Sequence, residues 1–375
     1  MNAKELLKGY NTKELTLGVL GGHSALDVCH GAAKQGFRTV AIAQKGREKT
    51  YSQYFKTREN GKETRGCVDD VIPVKTFQDV LKKDIQEELR SRNTIFIGSR
   101  YFWVYFSDAF VKVENDFHIP IFGNRSYVKI EERDQKPNQY DLLKKAGIRM
   151  PKLFAKPEDI DRLCIVKASE ATRGYERAFF LAANQSDWKH GEDFERRGVI
   201  GAGWQQAPIE EFIVGAPVNF NFFYSPLSQE LELLGTDTRR QTNLDGFLRL
   251  TGKDQEEALK RLPLKMIETG HIAVTVKESL LEKAFDLGER FVKATKDLLG
   301  KEIIGPFALQ GAVVAEDGKE DIVIFDVSLR IPGSPGTRFT PYSGYLYGES
   351  LSYGERIAME IKDAVKQGRL EEVVT

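Results

Sequence analysis

A glycine pair followed by a histidine and a serine, Gly21-Gly22-His23-Ser24, stands directly after a short apolar run. Such a turn exposes the N–H groups that open a helix, and their partial positive charge attracts an anion. The glycines let a ligand approach the backbone, while His23 and Ser24 add donors that bare backbone lacks. These residue types predict a site for a phosphate monoester with a polar neighbour. The alternative is a tight strand-to-helix turn with a solvated histidine.

Two further polar stretches have the composition of walls of such a site. The stretch 97–100 (IGSR) repeats the order of strand end, glycine, hydroxyl and cation, with Ser99 as the hydroxyl. By itself it is typical of a surface turn, but beside the first turn it predicts a second pocket wall. The loop 237–243 (DTRRQTN) offers two guanidiniums and the amide of Asn243, which suit a phosphate and a ribose or carboxamide. A charged surface loop is the alternative there.

A lysine and an acidic pair indicate a nucleotide. Lys167 ends the apolar run LCIVK, where a lysine is either solvated or a point charge on nucleotide phosphates. Glu210 and Glu211 lead into an apolar run that begins with Phe212 and Ile213. This pattern fits either the start of a strand or a hinge whose backbone pairs with adenine while a carboxylate holds the ribose hydroxyls.

Two polar residues, Gln310 and Asp326, interrupt the apolar runs FALQGAVV and IVIFDVSLR. A hairpin turn predicted at 316–318 makes the two runs neighbours, so the two side chains can lie close together. Polar groups inside apolar strands are costly to bury unless they are satisfied, and oxygen ligands on adjacent strands suit Mg²⁺ bound to nucleotide phosphates. A buried structural hydrogen bond is the alternative.

The elements that must position these residues fall into two parts. Over residues 1–125, short apolar runs alternate with helical patterns, which predicts a doubly wound parallel sheet with ligands at the carboxyl ends of its strands. Ser24 and Thr76 are expected to cap two of its helices. The polar stretch 124–140 predicts a hinge. Residues 126–375 carry longer strands and hairpins typical of an α+β domain, so the fold class is α/β followed by α+β.

Composition limits the class of protein. The 375 residues contain 55 Lys plus Arg and 55 Asp plus Glu, and this zero net charge argues against a general nucleic-acid or anionic-membrane binder. Three widely spaced cysteines, Cys29, Cys67 and Cys164, suit a reducing cytoplasm, and no apolar run reaches membrane-spanning length. We therefore expect a cytoplasmic protein with small-molecule partners. The other four histidines form no metal-ligand spacing: His30, His118, His190 and His271.

Taken together, the chain resembles the archaeal FAICAR synthetases, which are ATP-grasp ligases that formylate the purine precursor AICAR (aminoimidazole-carboxamide ribonucleotide). The resemblance runs nearly end to end. It rests on the following stretches: GGHSALD at 21–27, PIFGNR at 120–125, IEEFIVG at 209–215, YSPLSQELELLGTD at 224–237, TNLDG at 242–246, ESLL at 278–281, GPFALQ at 305–310 and FDVSLRI at 325–331.

The resemblance implies a fold, a reaction and roles for residues. It implies an N-terminal substrate-binding domain over 1–125, an ATP-grasp domain over 126–375, and a homo-oligomer. Formate would be activated by ATP as formyl phosphate, with Mg²⁺ or Mn²⁺ bound. His23, Ser99 and Asn243 would then hold the ribonucleotide. The metal positions would fall on Gln310 and Asp326, and the ATP positions on Lys167 and the acidic hinge 210–213.

The chain also departs from the family, mainly on the ATP side. After Lys167, where the family has a glycine-rich loop over the phosphates, this chain has ASEATRGYERAFF with a single glycine. Arg173 is among the side chains expected to donate to ATP in place of glycine backbone. Asp326 stands where the family favours glutamate, and the loop 331–344 is rich in proline. Two alternatives therefore stay open: a diverged ligase with another amine or carboxylate, and a non-catalytic nucleotide-binding partner subunit.

Overall fold

The structure is a computed structural model and describes residues 2–61, 63–106, 109–168, 179–262, 264–265, 267–316, 318–333 and 335–375. Its strands are β1 Thr16–Leu20, β2 Arg38–Gln44, β3 Arg58–Asn60, β4 Glu63–Arg65, β5 Asp70–Val74, β6 Thr94–Ile97, β7 Ile121–Phe122, β8 Leu153–Phe154, β9 Cys164–Lys167, β10 Phe179–Ala182, β11 Ile209–Glu211, β12 Ala216–Ser225, β13 Glu230–Arg240, β14 Gly270–Ala273, β15 Gly305–Glu316 and β16 Lys319–Ser328.

The α-helices connect and cover these strands. They are α1 Ala3–Leu6, α2 Ala25–Lys34, α3 Lys83–Ser91, α4 Tyr101–Val104, α5 Phe110–Asn115, α6 Gln139–Lys145, α7 Gln185–Trp188, α8 Gly191–Arg196, α9 Leu244–Phe247, α10 Gly252–Arg261, α11 Leu281–Leu299, α12 Tyr342–Tyr347, α13 Tyr353–Gln367 and α14 Leu370–Val373. Short 3-10 turns include Tyr127–Glu131 and Pro335–Phe339. None of the helices described is long and apolar enough to cross a membrane.

The N-terminal part is the predicted parallel sheet, in the order β5-β2-β1-β6-β7. Its strands are buried on both faces, because successive side chains alternate between two hydrophobic clusters. Leu17 and Val19 pack into the cluster that holds α2 and α13, whereas Leu20 packs into the cluster on the opposite face with Phe102 and Phe106. The aromatic stretch 101–106 therefore contributes to the core.

The remaining strands form two antiparallel sheets. The smaller has the order β10-β9-β11-β8 and carries Lys167 and Glu210. The larger has the order β14-β13-β12-β15-β16, and its β15–β16 hairpin pairs Gln310 with Asp326 directly across the ladder. The proximity of these two side chains, which the hairpin turn predicts, is confirmed. Its turn residue Asp317 lies outside the described residues.

The C-terminal helices return to the N-terminal sheet. Helix α13 packs against α2 so closely that a Cβ on Gly354 would lie 2.0 Å from the backbone oxygen of Asp27. Glu355 at the start of α13 accepts hydrogen bonds from Lys34 on α2 and from Arg338. One hydrophobic cluster consequently contains residues from both predicted domains. The division at residue 125 stays a prediction, and the core itself crosses it.

Two expectations about helix capping are wrong. Ser24 precedes α2, but its side chain makes no cap hydrogen bond, because its hydroxyl donates to the Pro332 carbonyl oxygen at 2.9 Å. Thr76 precedes a 3-10 turn, Phe77–Leu81, and not an α-helix, since α3 starts separately at residue 83. The stretch 124–140 leads into α6, and Arg125, Glu131 and Gln139 in it are buried; its role as a hinge stays a prediction.

Candidate active site

A cavity of about 450 Å³ lies between the turn after β1, the segment that follows β7 and one face of the five-stranded antiparallel sheet. Most of its lining is polar, and it is rich in charge. The charged and amide side chains around it are those of His23, Arg100, Glu131, Glu132, Arg133, Asn219, Asn221, Asp237, Arg239, Glu268, His271, Gln310, Asp326 and Arg330.

The floor of the cavity is a row of polar side chains that crosses the sheet. Asp326 pairs with Gln310, Gln310 with Asn219, and Asn219 with Asp237. Paired residues on adjacent antiparallel strands project to the same face, so all four side chains face the cavity. On the edge strand β14, His271 continues the row and contacts Asp237. Polar groups at these positions, among strands that are otherwise apolar, form a continuous hydrophilic track.

The turn after β1 forms the wall opposite this floor. His23 has a positive φ of 50°, and the preceding Gly22 has a φ of 136°. A Cβ on Gly22 would lie 2.3 Å from the Tyr101 ring, so glycine is required there by both backbone conformation and space. The enclosing walls, together with cations that include Arg330 and Arg100, lower the pKa of His23 to about 3. His23 is therefore neutral at pH 7 and can both donate and accept a hydrogen bond.

Three arginines line one part of the cavity, and each lies beside a carboxylate: Arg100 beside Glu131 and Glu132, Arg330 beside Glu131, and Arg239 beside Glu268. Arg100 and Arg330 hydrogen-bond to the same carboxylate oxygen of Glu131, at 3.1 and 3.2 Å. Burial raises the pKa of Glu131, although these two cations act against the rise. The buried Nε atoms of Arg330 and Arg239 have no hydrogen-bond acceptor among the described residues. Buried donors of this kind are expected to be satisfied by a bound anion or by water.

The other end of the cavity holds a carboxylate among cations. The Asp326 carboxylate lies 3.4 Å from Arg133, and Arg133 also contacts Glu210 at 3.4 Å. Lys167 donates to Glu210 at 2.7 Å, and Tyr140 hydrogen-bonds to the other oxygen of Glu210. Burial would raise the pKa of Asp326, but Arg133, Lys167 and other cations outweigh it and hold that pKa below its usual value. The carboxylate is therefore ionised at neutral pH.

The structure brings together only some of the residues expected at the site. His23, Gln310 and Asp326 line one cavity, and Lys167 lies beside it. Among the described lining residues of that cavity, neither Ser99 nor Asn243 occurs.

Ser99 is buried, with 2% exposure, and its hydroxyl accepts from the Tyr101 amide. The side-chain oxygen of Asn243 accepts from the Lys265 amide at 2.8 Å. Their predicted contacts with a ribonucleotide stay predictions.

The acidic hinge has a different environment from the one expected of a ribose-binding carboxylate. Glu210 is completely buried and is already engaged by Lys167, Tyr140 and Arg133. Glu211 instead contacts Arg162 at 3.0 Å and the Lys152 amide. Beyond it, 37% of Phe212 is exposed, and its amide donates to the Leu163 carbonyl oxygen; Ile213 follows after the end of β11. Arg173 lies outside the described residues.

The donor set at Gln310 and Asp326 fits a metal that is held mainly by phosphate oxygens. Gln310 donates through its Nε2 to Ser328, which leaves its Oε1 as an acceptor, and Asp326 supplies one carboxylate. No cluster of three His, Cys, Asp or Glu side chains suitable for a metal occurs among the described residues. Mg²⁺ typically uses one or two protein oxygens plus substrate phosphates and water, so two oxygens are enough.

Several site residues escaped the sequence argument. Glu131 and Arg133 lie in the stretch 124–140, which the sequence predicts to be a hinge, and the spacing of His271 matches no metal site. A signal does exist for Asn219 and Asn221, since two amides two residues apart in the run PVNFNFFY must face the same side of a strand. Asn219 pairs with Gln310 on one neighbouring strand and with Asp237 on the other, so the polar positions of these three strands together form the floor of the cavity.

Comparisons with known proteins agree with this architecture. The family described as a domain of unknown function, DUF1297, matches residues 188–375, and the protein family of unknown function DUF1246 matches residues 17–154. A solved structure described as the IMP biosynthesis protein PurP from Thermococcus kodakaraensis has a TM-score of 0.68 at 27% identity, covering 96% of this chain and all of that one. N5-carboxyaminoimidazole ribonucleotide synthetase from Thermotoga maritima has the same fold, with a TM-score of 0.54 at 15% identity over 93% of this chain and 76% of its own.

The parallel N-terminal sheet, the two antiparallel sheets and the charged cavity between them define an ATP-grasp protein, as the sequence predicts. The chain is also 36% identical to the 5-formaminoimidazole-4-carboxamide-1-(beta)-D-ribofuranosyl 5'-monophosphate synthetases of Methanothermobacter thermautotrophicus and Methanocaldococcus jannaschii. These matches cover 99% of this chain and 97% and 98% of the two relatives. The chain belongs to this family, the FAICAR synthetases.

Proposed function

We propose that this protein is an ATP-dependent ligase that formylates AICAR with formate, through formyl phosphate, in purine biosynthesis. The observation that carries the proposal is a single cavity whose lining contains both buried arginine donors and the metal-competent pair Gln310 and Asp326. The names of the relatives support the choice of substrates. A ribonucleotide monophosphate and a nucleoside triphosphate both need anion sites, and one carboxylic acid must be activated between them.

The metal-competent end is proposed to receive the ATP phosphates. Gln310 and Asp326 would hold a divalent cation, Mg²⁺ or Mn²⁺, through their side-chain oxygens. Lys167 and Arg133 face the same carboxylate and would neutralise phosphate charge. When bound, the cation supplies charge neutralisation and orientation for phosphoryl transfer.

The part of the cavity that holds the three arginines is proposed to receive the ribonucleotide. The buried Nε donors of Arg239 and Arg330 offer charge-assisted hydrogen bonds to a phosphate. Glu131 fixes Arg330 and Arg100 through its carboxylate, so little side-chain ordering is left to occur on binding. His23, which is neutral at pH 7, adds a directional hydrogen bond from the opposite wall.

The reaction needs two steps because formate is a poor electrophile as an anion. Transfer of the γ-phosphoryl group of ATP to a formate oxygen gives formyl phosphate and ADP. The amine of AICAR then attacks the formyl carbon, and phosphate leaves. The protein contributes mainly by positioning the reactants.

Two further features belong to this proposal. We place the enzyme in the cytoplasm, since purine precursors and ATP are found there and Cys29, Cys67 and Cys164 are free thiols. We also propose a homo-oligomer. Exposed apolar side chains at Phe339 and Tyr345, 77% and 75% exposed, provide surface for contacts between subunits.

A coupled assay of ADP release tests the function. The purified protein should release ADP only when formate, AICAR and a divalent cation are all present, and the product should carry one added formyl group by mass spectrometry. Omitting each component in turn is the control. Absence of ADP release that depends on both formate and AICAR, at any Mg²⁺ or Mn²⁺ concentration, would refute the proposal.

A further inference from the structure

A histidine and a buried carboxylate form a pair at the edge of the cavity. The Nδ1 atom of His271 lies 2.7 Å from Oδ1 of Asp237. The His271 side chain is 7% exposed and lines the cavity, while Asp237 is completely buried. The Asp237 carboxylate also accepts hydrogen bonds from the side-chain amides of Asn219, at 2.8 Å, and Asn221, at 2.5 Å. The carboxylate is therefore held rigidly.

This arrangement determines which ring nitrogen of His271 carries the proton. Hydrogen bonds from His271 and the two asparagines outweigh burial and lower the pKa of Asp237, so it is an anion at neutral pH. A carboxylate can only accept hydrogen bonds, which means that Nδ1 must be the protonated nitrogen. The lone pair of the imidazole then lies on Nε2, and a histidine oriented in this way by a carboxylate can act as a general base.

We propose that His271 is the general base of the formyl-transfer step and that Asp237 is its positioning residue. The inference rests on the function proposed above. The nitrogen lone pair of the AICAR amine attacks the formyl carbon, and the bond from that carbon to the phosphate oxygen breaks. The amine proton passes to Nε2 of His271, and inorganic phosphate leaves with the electron pair. One amine and one formyl phosphate thus give one formamide, one phosphate and one proton on histidine.

The chemistry of this amine explains why a base is needed. An amine attached to an electron-poor ring is a weak nucleophile, and its nitrogen becomes strongly acidic once it is bonded to the formyl carbon. Removing that proton during attack prevents return to reactants. The proton then has a way out, because Glu268, whose side chain is 49% exposed, lies 3.9 Å from Nε2. The other titratable groups nearby are Arg239, the register partner of His271, and His23 across the cavity, which is neutral at pH 7.

The test separates formation of formyl phosphate from its transfer. Hydroxylamine traps acyl phosphates without a base, so hydroxamate produced from formate, MgATP and hydroxylamine measures the first step alone. FAICAR production measures both steps. The variants are His271→Gln, Asp237→Asn and the control His118→Gln, which alters an exposed histidine outside the cavity. Thermal unfolding of each variant establishes that it is folded.

We expect His271→Gln to lower kcat for FAICAR production by about 10²–10⁴-fold while hydroxamate production stays within about threefold of the wild type. Asp237→Asn should have the same pattern with a smaller loss, and His118→Gln should resemble the wild type. A folded His271→Gln protein that loses both products equally, or that changes only KM for AICAR, would overturn the assignment. If the wild type makes no formate-dependent hydroxamate, the proposed function itself fails.

Discussion

Asp326→Asn should separate metal-free from metal-dependent ATP binding. In the structure the Asp326 carboxylate lies 3.4 Å from Arg133 and is also influenced by Lys167. A triphosphate that arrives without a metal must compete with this carboxylate for the same cations. A divalent cation would remove the competition, because Asp326 and the phosphate oxygens would hold it together. The substitution removes the competitor and the proposed metal ligand at once, so its two expected effects have opposite signs.

The geometry sets the size of the first effect. Two unit charges 3.4 Å apart attract by about 5 kcal/mol at an effective dielectric constant of about 20. Because 38% of the Asp326 side chain is exposed, solvent should reduce this to about 1–2 kcal/mol. Metal-free ATP should therefore bind Asp326→Asn about fivefold to thirtyfold more tightly than the wild type. Metal-dependent turnover should fall by at least about a hundredfold, since Mg²⁺ prefers an anionic oxygen to an amide.

Calorimetric titration of ATP with and without Mg²⁺ measures both effects, and a titration with AICAR alone provides the third value. AICAR affinity should stay nearly unchanged. Glu320→Gln is the matched control, because Glu320 is a carboxylate on the same strand that contacts Lys277 outside the cavity. An unchanged difference between ATP binding with and without Mg²⁺, or a fall in AICAR affinity as large as the fall in turnover, would refute the assignment of Asp326 to the metal.

Three other substitutions test the site and the packing that supports it. His23→Ala should weaken AICAR binding about tenfold to a hundredfold in equilibrium titrations, because it removes one hydrogen bond to a charged group, and ATP binding should stay unchanged. An unaltered AICAR affinity would mean that His23 has only a structural role in the turn. Gly354→Ala should lower the free energy of unfolding by about 1–3 kcal/mol or more, measured with urea, because the added methyl meets the backbone of Asp27; an unchanged midpoint would mean that α2 and α13 are not in contact. Glu355→Gln should cost about 1–3 kcal/mol at pH 7 and progressively less as the pH falls from about 4.5 toward 2. Although burial opposes it, hydrogen bonding to its cations lowers the pKa of Glu355 to about 2, so the stabilisation exists above the unfolded pKa and is lost on acidification; a pH-independent difference in unfolding would contradict this.

Local patterns in the chain were sufficient for most of the longer strands and for one pair of site residues, but not for β3, β4, β8 or β14. The run Thr16–Leu20 is a buried strand. Its five consecutive small or apolar residues before a glycine pair are typical of a strand that is covered on both faces of a parallel sheet. Gln310 and Asp326 could be paired because a short hairpin turn leaves little freedom in the register of two long strands. In both cases the deciding interactions lie close together in the sequence.

The stretch 124–140 contains contacts that such reasoning does not reveal. Its polar residues indicate a hinge, and Arg125 in it donates four hydrogen bonds to backbone carbonyl oxygens, including that of Thr375. Glu131 accepts from the Leu329 amide and from two arginines. These partners lie up to 250 residues away in the sequence. A polar side chain in an isolated sequence does not reveal whether protein or water will satisfy it.

The sequence by itself determined the class of fold and, through its motifs, the family. It also placed Lys167, Gln310 and Asp326 on strands, since the alternation of side chains along a strand is a local property. Only the tertiary structure decided that His23 faces the same cavity as Gln310 and Asp326, and that Asp237 orients His271. Asp237 and His271 meet because β13 and β14 pair across an insertion of 29 residues, Gln241 to Thr269. Contacts of that kind depend on packing that no local pattern records, so the general base proposed above could be found only in the folded chain.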